Sequence, residues 1–370
     1  MDPAGLRRID RLINEAIAAQ VTPGVALAIG RKGQAVRLRG YGRTEYGRGG
    51  MRVDEHTLYD LASLTKSVGT TSAVMLLVQQ GRLDLDRPLA DYFEEWRSAG
   101  DRRTMTARQL LNHTSGLPPG GELAGVGHDR GRIPAFMAQI RLLSSPGRKY
   151  EYSDYGMILL GALVERITGE RLDVFLDENL WLPAGLIETG FVPLSWQDRK
   201  DSGFRLAGSR RAMLARIAPT ERTPDRGVIR GVVHDPLAYR LDGVAGNAGL
   251  FSSAYDLARF AELLLEGGRS DTTQIFRPDV LGSFIKRPSR KARFALGWEL
   301  AREGGPSGRL FPATAYGHTG FTGTSIWIDP EHDLYVVLLT NRLNPNASEH
   351  RHVKLRRDIH DAVQRALLPG

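Results

Sequence analysis

The 370-residue sequence contains no cysteine. That excludes disulfides, thiolate metal sites and a cysteine nucleophile, and it fits any redox compartment. No apolar run approaches twenty residues, so no membrane-spanning helix is expected. Residues 1–20 are charged and helical in pattern and lack the apolar core and small-residue cleavage site of a secretory leader. No signal peptide is visible, which leaves the compartment open between cytoplasm and a trimmed secreted form. Neither H-E-x-x-H, GxGxxG nor G-K-[ST] occurs at a helix start, so no zinc-protease helix or nucleotide loop is expected. His113, His234 and His318 could be imagined as a metal set, but no ligand spacing supports it; no metal and no cofactor are expected. Acidic residues are the minority charge, 42 against 50 Lys and Arg, giving a net charge of +8 and a pI near 9.8. The arginines are scattered, apart from Arg210-Arg211 and the stretch Arg351 to Arg357. No aromatic-interleaved basic motif accompanies them, so they read as a solvated surface rather than a nucleic-acid face.

What is present is ordinary globular composition, 41% hydrophobic and 25% charged, over a length that suits two lobes. Residues 6–18 carry Ile9, Leu12, Ile13, Ala16 and Ile17 at helical spacing. Residues 25–29 and 35–39 read as a hairpin about Arg31-Lys32-Gly33. The far end mirrors this, with strands at 324–328 and 334–340 and a closing helix at 352–367. The two terminal hairpins are therefore expected to share one antiparallel sheet covered by the terminal helices. The fold class is α/β (α+β), with residues 1–59 and 236–370 in the sheet lobe and 60–235 in an inserted, mostly helical lobe. Helices are expected at 66–80, 107–111, 133–143, 154–167, 172–180 and 255–265. Residues 193–230 are polar and poorly periodic and read as irregular. The glycines of 243–251 suggest close packing beneath a site.

The chemistry-bearing stretch is Asp60-Leu61-Ala62-Ser63-Leu64-Thr65-Lys66. Ser63 and Lys66 are three apart and share a helix face. A serine hydroxyl needs a base to become nucleophilic, and burial that lowers a lysine's pKa would supply one. Free N–H groups at a helix start suit an anionic intermediate. A capping serine and a solvated lysine share this spacing, so the S-x-x-K pattern does not stand alone.

Two later stretches give it meaning. In Tyr150-Glu151-Tyr152-Ser153-Asp154, Tyr152 can relay a proton, while Ser153 or Asp154 can cap the following helix. In His318-Thr319-Gly320-Phe321, entering the strand at 324–328, a strand edge can pair with an extended substrate and a backbone N–H can donate to an oxyanion.

In this order the stretches resemble the serine β-lactamase and penicillin-binding protein superfamily, on the side of class C β-lactamases and D-alanyl-D-alanine carboxypeptidases. Similar too are Leu110 to Pro118, Pro146-Gly147, Tyr155-Gly156, Leu160-Gly161, Ala248 to Ser252 and Thr340-Asn341-Arg342. The resemblance covers nearly the whole chain. It implies a cleft between two lobes, an acyl-enzyme on Ser63, and proton transfer shared by Lys66 and Tyr152. It also implies an oxyanion hole from the Ser63 and Phe321 backbone N–H groups, and substrate contacts from Asp154, His318, Thr319 and Gly320.

Departures from the pattern narrow the choice. Asp154 stands where Asn is common, and a carboxylate only accepts hydrogen bonds. It would face a substrate N–H or cation, or a partner such as Lys66. His318 stands where class C β-lactamases have Lys, which argues against strong β-lactamase activity. The Trp-Gly-Gly of family VIII esterases is missing. Residues 217–221, 233–235 and 317–330 resemble a subgroup linked to peptidoglycan breakdown, including an amidase that removes peptides from N-acetylmuramic acid. The expected activity is a serine hydrolase of amides or esters acting on a small molecule or peptide, among them muropeptides and β-lactams. The alternatives are a promiscuous carboxylesterase or weak β-lactamase, and a non-catalytic penicillin-binding sensor. Neither a nucleic-acid partner nor a membrane span is expected.

Overall fold

The computed structural model describes residues 1–126, 129–195, 210–271, 273–344 and 349–367. The first helix, Pro3–Ala18, opens on Asp2, whose carboxylate accepts from the N–H groups of Ala4 and Gly5. It buries Ile9, Ile13 and Ala16. The strands Gly24–Arg31 and Gln34–Gly42 follow, joined at Lys32 and Gly33, both with positive φ as a tight hairpin turn requires.

Gly24–Arg31 pairs on its other side with Leu334–Thr340, from Val25 opposite Thr340 to Arg31 opposite Leu334. The sheet continues outward through Ser325–Asp329 and Tyr316–Thr319 to Glu299–Leu300, six antiparallel strands in all. Alternation divides its side chains. Val25, Leu27, Ile29, Val336 and Leu338 face the terminal helices, including Ile359 and Val363 of Glu349–Arg365. Ala26, Ala28, Val337 and Leu339 face the larger core, which includes the helices Ala254–Leu265 and Asp154–Thr168. Both faces of the inner strands are covered, so Gly24–Arg31 and Leu334–Thr340 are buried almost throughout, whereas the edge strand Gln34–Gly42 is largely exposed or half-buried. Among the described residues no helix is long and apolar enough to cross a membrane.

The expected helices at 107–111, 154–167 and 255–265 appear within a residue at each end, as Ala107–Leu111, Asp154–Thr168 and Ala254–Leu265. Several other expectations are corrected. Residues 66–80 are not one α-helix: Lys66–Thr71 is a π-helical turn before Ser72–Gln79. There the Ser67 and Thr70 hydroxyls donate outward to the carbonyls of Gly297 and Gly246, which widens the turn against its neighbours. The expected 133–143 helix stops at Met137, and the Ile140 carbonyl accepts from Arg102 instead. In the 193–230 region, residues 196–209 lie outside the described residues. The remainder is ordered as the helix Arg210–Arg216 and the hairpin Glu221–Thr223 with Gly227–Ile229. Met213 and Ile217 are buried against Leu58, Val192 and Phe251, an apolar spacing too sparse to register in a polar stretch.

Candidate active site

The turn carrying Ser63 is built by Asp60. The two-residue strand Tyr59–Asp60 pairs with Leu250–Ser252. The Asp60 carboxylate, 3% exposed, accepts from Ala62 N at 2.8 Å and from His234 N at 2.7 Å. Ala62 has φ +47°, a conformation that costs a non-glycine residue about 1–2 kcal/mol. The bend places half-buried Ser63 at the mouth of the helical run, and its backbone N–H has no hydrogen-bond partner among the described residues.

Lys66 is 1% exposed. Its Nζ donates to Ser63 Oγ at 2.8 Å and to the Asn247 carbonyl at 3.0 Å. It forms an ion pair with Asp154 at 2.7 Å and lies 5.1 Å from the Tyr152 ring centroid. Asp154 is the first residue of its helix, capped by the Ser153 hydroxyl, and is 28% exposed. Of the two partners a carboxylate could have here, the structure provides Lys66.

The electrostatics overturn one expectation. Burial disfavours the Lys66 charge, but the Asp154 carboxylate and Tyr152 outweigh it, and the pKa is raised rather than lowered. Burial also raises Tyr152, partly offset by the Lys66 ammonium and by hydrogen bonds with Lys66 and Ser63. The resting constellation is therefore an ammonium beside a carboxylate, with neutral phenol and hydroxyl groups.

Two neutral imidazoles flank Tyr152. His113 accepts from Ser153 N through Nδ1 at 3.2 Å, with its ring 4.6 Å from Tyr152. His318 donates from Nδ1 to the Thr319 carbonyl at 2.8 Å, 6.1 Å from Tyr152 ring to ring. Burial and the nearby Lys66 push His113 well below the usual range and His318 down to about 3. His234 does not flank Tyr152; it borders the site on the Phe321 side, stacked on that ring at 5.7 Å.

His318 and Thr319 do not enter the strand at 324–328. They end their own strand, Tyr316–Thr319, which turns at Gly320 and pairs back with Ser325–Asp329. Along Tyr316–Thr319 the outermost strand pairs with Gly317 and Tyr316, so among the described residues no strand pairs with the outer edge of His318 and Thr319. The Phe321 N–H also lacks a partner among the described residues, and its ring is 56% exposed. Gly320 is irreplaceable in this packing: a Cβ there would lie 2.1 Å from Thr324 Oγ1 and 2.4 Å from the Leu61 carbonyl.

The structure thus brings Ser63, Lys66, Tyr152, Asp154, His318, Thr319, Gly320 and Phe321 around one point. The sequence reading missed Asp60 and the Asn247 carbonyl. Asp60, two residues before Ala62, is an Asx-turn signal, the one cue available. Chemically, the site offers a hydroxyl beside a buried amine, connected proton carriers and two free N–H donors.

A family profile described as Beta-lactamase matches residues 9–361. The chain is 33% identical over 363 residues to the "N-acetylmuramyl-L-alanine amidase" of Bacillus subtilis (strain 168), covering 91% of this chain and 81% of that protein. It is 32% identical over 361 residues to a protein of Escherichia coli (strain K12) named "Putative D-alanyl-D-alanine carboxypeptidase", covering 91% and 82%. Among solved structures, a penicillin-binding protein homolog from Caulobacter crescentus superimposes with a TM-score of 0.75 at 21% identity, covering 98% of each chain.

Proposed function

The chain belongs to the Beta-lactamase family as a serine-type hydrolase, and from that premise we propose that Ser63 forms an acyl-enzyme with an amide or ester of a cell-wall muropeptide. The observation that carries the reading is the 2.8 Å contact between Ser63 Oγ and a Lys66 amine held in turn by Asp154. Carboxypeptidase and amidase chemistry would share the same steps, as would hydrolysis of an ester.

In acylation the Ser63 Oγ–H bond breaks as the Oγ–carbonyl carbon bond forms. A Lys66 that rests as an ammonium must first give up a proton, and Asp154 at 2.7 Å is the acceptor in reach. Lys66 then takes the Ser63 proton. Tyr152, hydrogen-bonded to both Lys66 and Ser63, passes a proton to the departing nitrogen or oxygen. The Ser63 and Phe321 N–H groups receive the oxyanion. Water reverses the sequence in deacylation. The substrate would lie between the outer edge of His318-Thr319 and the helical segment carrying Ser63 and Tyr152, with neither nucleic acid nor metal taking part.

The test is a panel of a cephalosporin, a D-Ala-D-Ala peptide, a muramyl peptide and a short-chain ester, run on wild type and Ser63→Ala. Turnover of at least one substrate and labelling by a fluorescent penicillin should both disappear in the variant. Undiminished turnover by Ser63→Ala would rule out the nucleophile. Labelling of the wild type without turnover of any substrate would favour a sensor.

A further inference from the structure

Charge is distributed unevenly between the interior of this site and its rim. Next to the nucleophile, Lys66 is matched by Asp154, and the two flanking histidines are neutral. Arg342, the guanidinium beside Phe321, is 5% exposed; it lies 4.8 Å from the Phe321 ring centroid and donates from Nε to the Phe321 carbonyl at 2.7 Å. A carboxylate placed beside the scissile bond would find no uncommitted cation in this group.

The rim is different. A wall of rings leads outward from Lys66. Tyr152 stands 6.0 Å from Phe294, Phe294 stacks on Tyr150 at 5.8 Å, and Arg293 lies over Tyr150 at 5.2 Å. This last contact joins two basic stretches far apart in the sequence, Arg148-Lys149 and Arg290 to Arg293. Arg148, Lys149, Arg290, Lys291 and Arg293 are all exposed, and none forms an ion pair with a described residue. The second stretch is held in place. Arg287 donates to the carbonyls of Ala292, Ala301 and Ala313 at 2.7–3.1 Å, which fixes the loop from beneath while its other cations face outward. Two acids adjoin this rim: Glu151, which follows Tyr150 in the chain and is half-buried, and Glu299, which acts on Tyr150 but is 8% exposed and paired with Arg302.

We propose that this rim is an extended subsite for the acidic part of the substrate, a carboxylate-bearing peptide arm running from Tyr152 past Tyr150 to the exposed cations, with the buried Phe294 backing both rings. The proposal rests on the hydrolase reading of Ser63 and adds where the substrate's charge lies. An extended peptide advances about 3.3 Å per residue, so an arm of roughly three to five residues reaches Arg293 from the scissile bond. Unpaired cations on a cleft edge attract such an arm and raise its rate of encounter, an effect that salt screens. A neutral interior with a cationic rim therefore favours substrates whose carboxylates are distal over those with a carboxylate adjoining the cleaved bond.

The test uses two coumarin-ester probes with four-residue arms that end in Glu-Glu or Gln-Gln. Wild type should prefer the Glu arm by about tenfold in kcat/KM at low salt, and the preference should fall within about twofold at molar-scale salt. A Lys149→Gln/Lys291→Gln/Arg293→Gln variant should lose the preference while handling the Gln arm as before. Equal use of both arms by wild type, or a preference that survives in the triple variant, would overturn the rim. Fluorescence anisotropy with the same arms on Ser63→Ala separates the two readings. Glu-selective binding there would uphold the rim even if turnover never depended on Ser63, and unselective binding would overturn it. A short DNA duplex that displaces the Glu arm and binds more tightly would overturn the peptide assignment in favour of a nucleic acid.

Discussion

The Thr324 hydroxyl donates to the Leu61 carbonyl at 2.9 Å, tying the hairpin that carries Phe321 to the turn that carries Ser63. Thr322 makes a matching bond to the Asp60 carbonyl at 2.7 Å. The two free N–H groups therefore keep their spacing through side chains that are themselves buried. Thr324→Val keeps the shape and removes one bond. We expect a loss of about 1 kcal/mol in stability and about a tenfold fall in acylation rate, with penicillin labelling still stoichiometric. Stopped-flow labelling measures the rate; an unchanged rate would show that the hairpin is positioned by other contacts.

Asp154→Asn tests the charge state of Lys66. With the carboxylate gone, burial dominates and the Lys66 pKa falls. Wild-type kcat/KM should be insensitive to Lys66 ionisation near neutrality, whereas the variant's should climb with pH as the amine deprotonates. The sign for stability follows from the raised folded-state pKa: the pair's contribution is present below the ordinary lysine value and lost as pH rises through the folded value. Near neutral pH the variant should thus be less stable by about 1–3 kcal/mol, discounted for the part-exposed Asp154. A pH–rate profile and urea unfolding measure both; matching profiles would remove Asp154 from the proton path.

Acid should destabilise the fold below the ordinary histidine range. His318, His352 and His360 are pushed down to about 3 by burial, and His113 lies well below its usual value. Below about pH 6.5 the unfolded chain binds these protons and the folded chain does not, so stability falls by up to about 1.4 kcal/mol per pH unit for each group. Asp256, raised to about 6 by burial, opposes them below that pH, as do Asp60 and Glu262, also raised by burial. The four imidazoles outnumber the three carboxyls. The melting temperature should drop steeply from pH 6.5 to 5 and less so in His360→Gln, whose site is remote from Ser63. A flat profile would contradict the assignment.

Much of this was legible in the sequence because it is local. Ser63 and Lys66 sit one helical turn apart, Ser153 and Gly169 bound the helix Asp154–Thr168, and the terminal hairpins carry period-two apolar patterns. What was not legible depends on partners far away in the chain. The Lys66 charge turns on a residue 88 positions later, which raises a pKa that burial alone would lower. The π-helical turn answers to the carbonyls of Gly246 and Gly297. The strand Tyr316–Thr319 is four residues long and holds a glycine, too little for a periodic signal, and only its pairing with Ser325–Asp329 defines it.

The pairing of Gly24–Arg31 with Leu334–Thr340 also sets an order of assembly. An emerging chain can fold its first hairpin at once, but one flank of that hairpin stays bare until nearly three hundred further residues have been made. Such distant closure is slow, and a bare strand invites self-association meanwhile. Ribosome-bound chains halted before Leu334 should be cut by protease within the first hairpin and should bind a chaperone that the finished protein ignores; protection equal to that of the finished protein would show that the hairpin is sheltered earlier by other means.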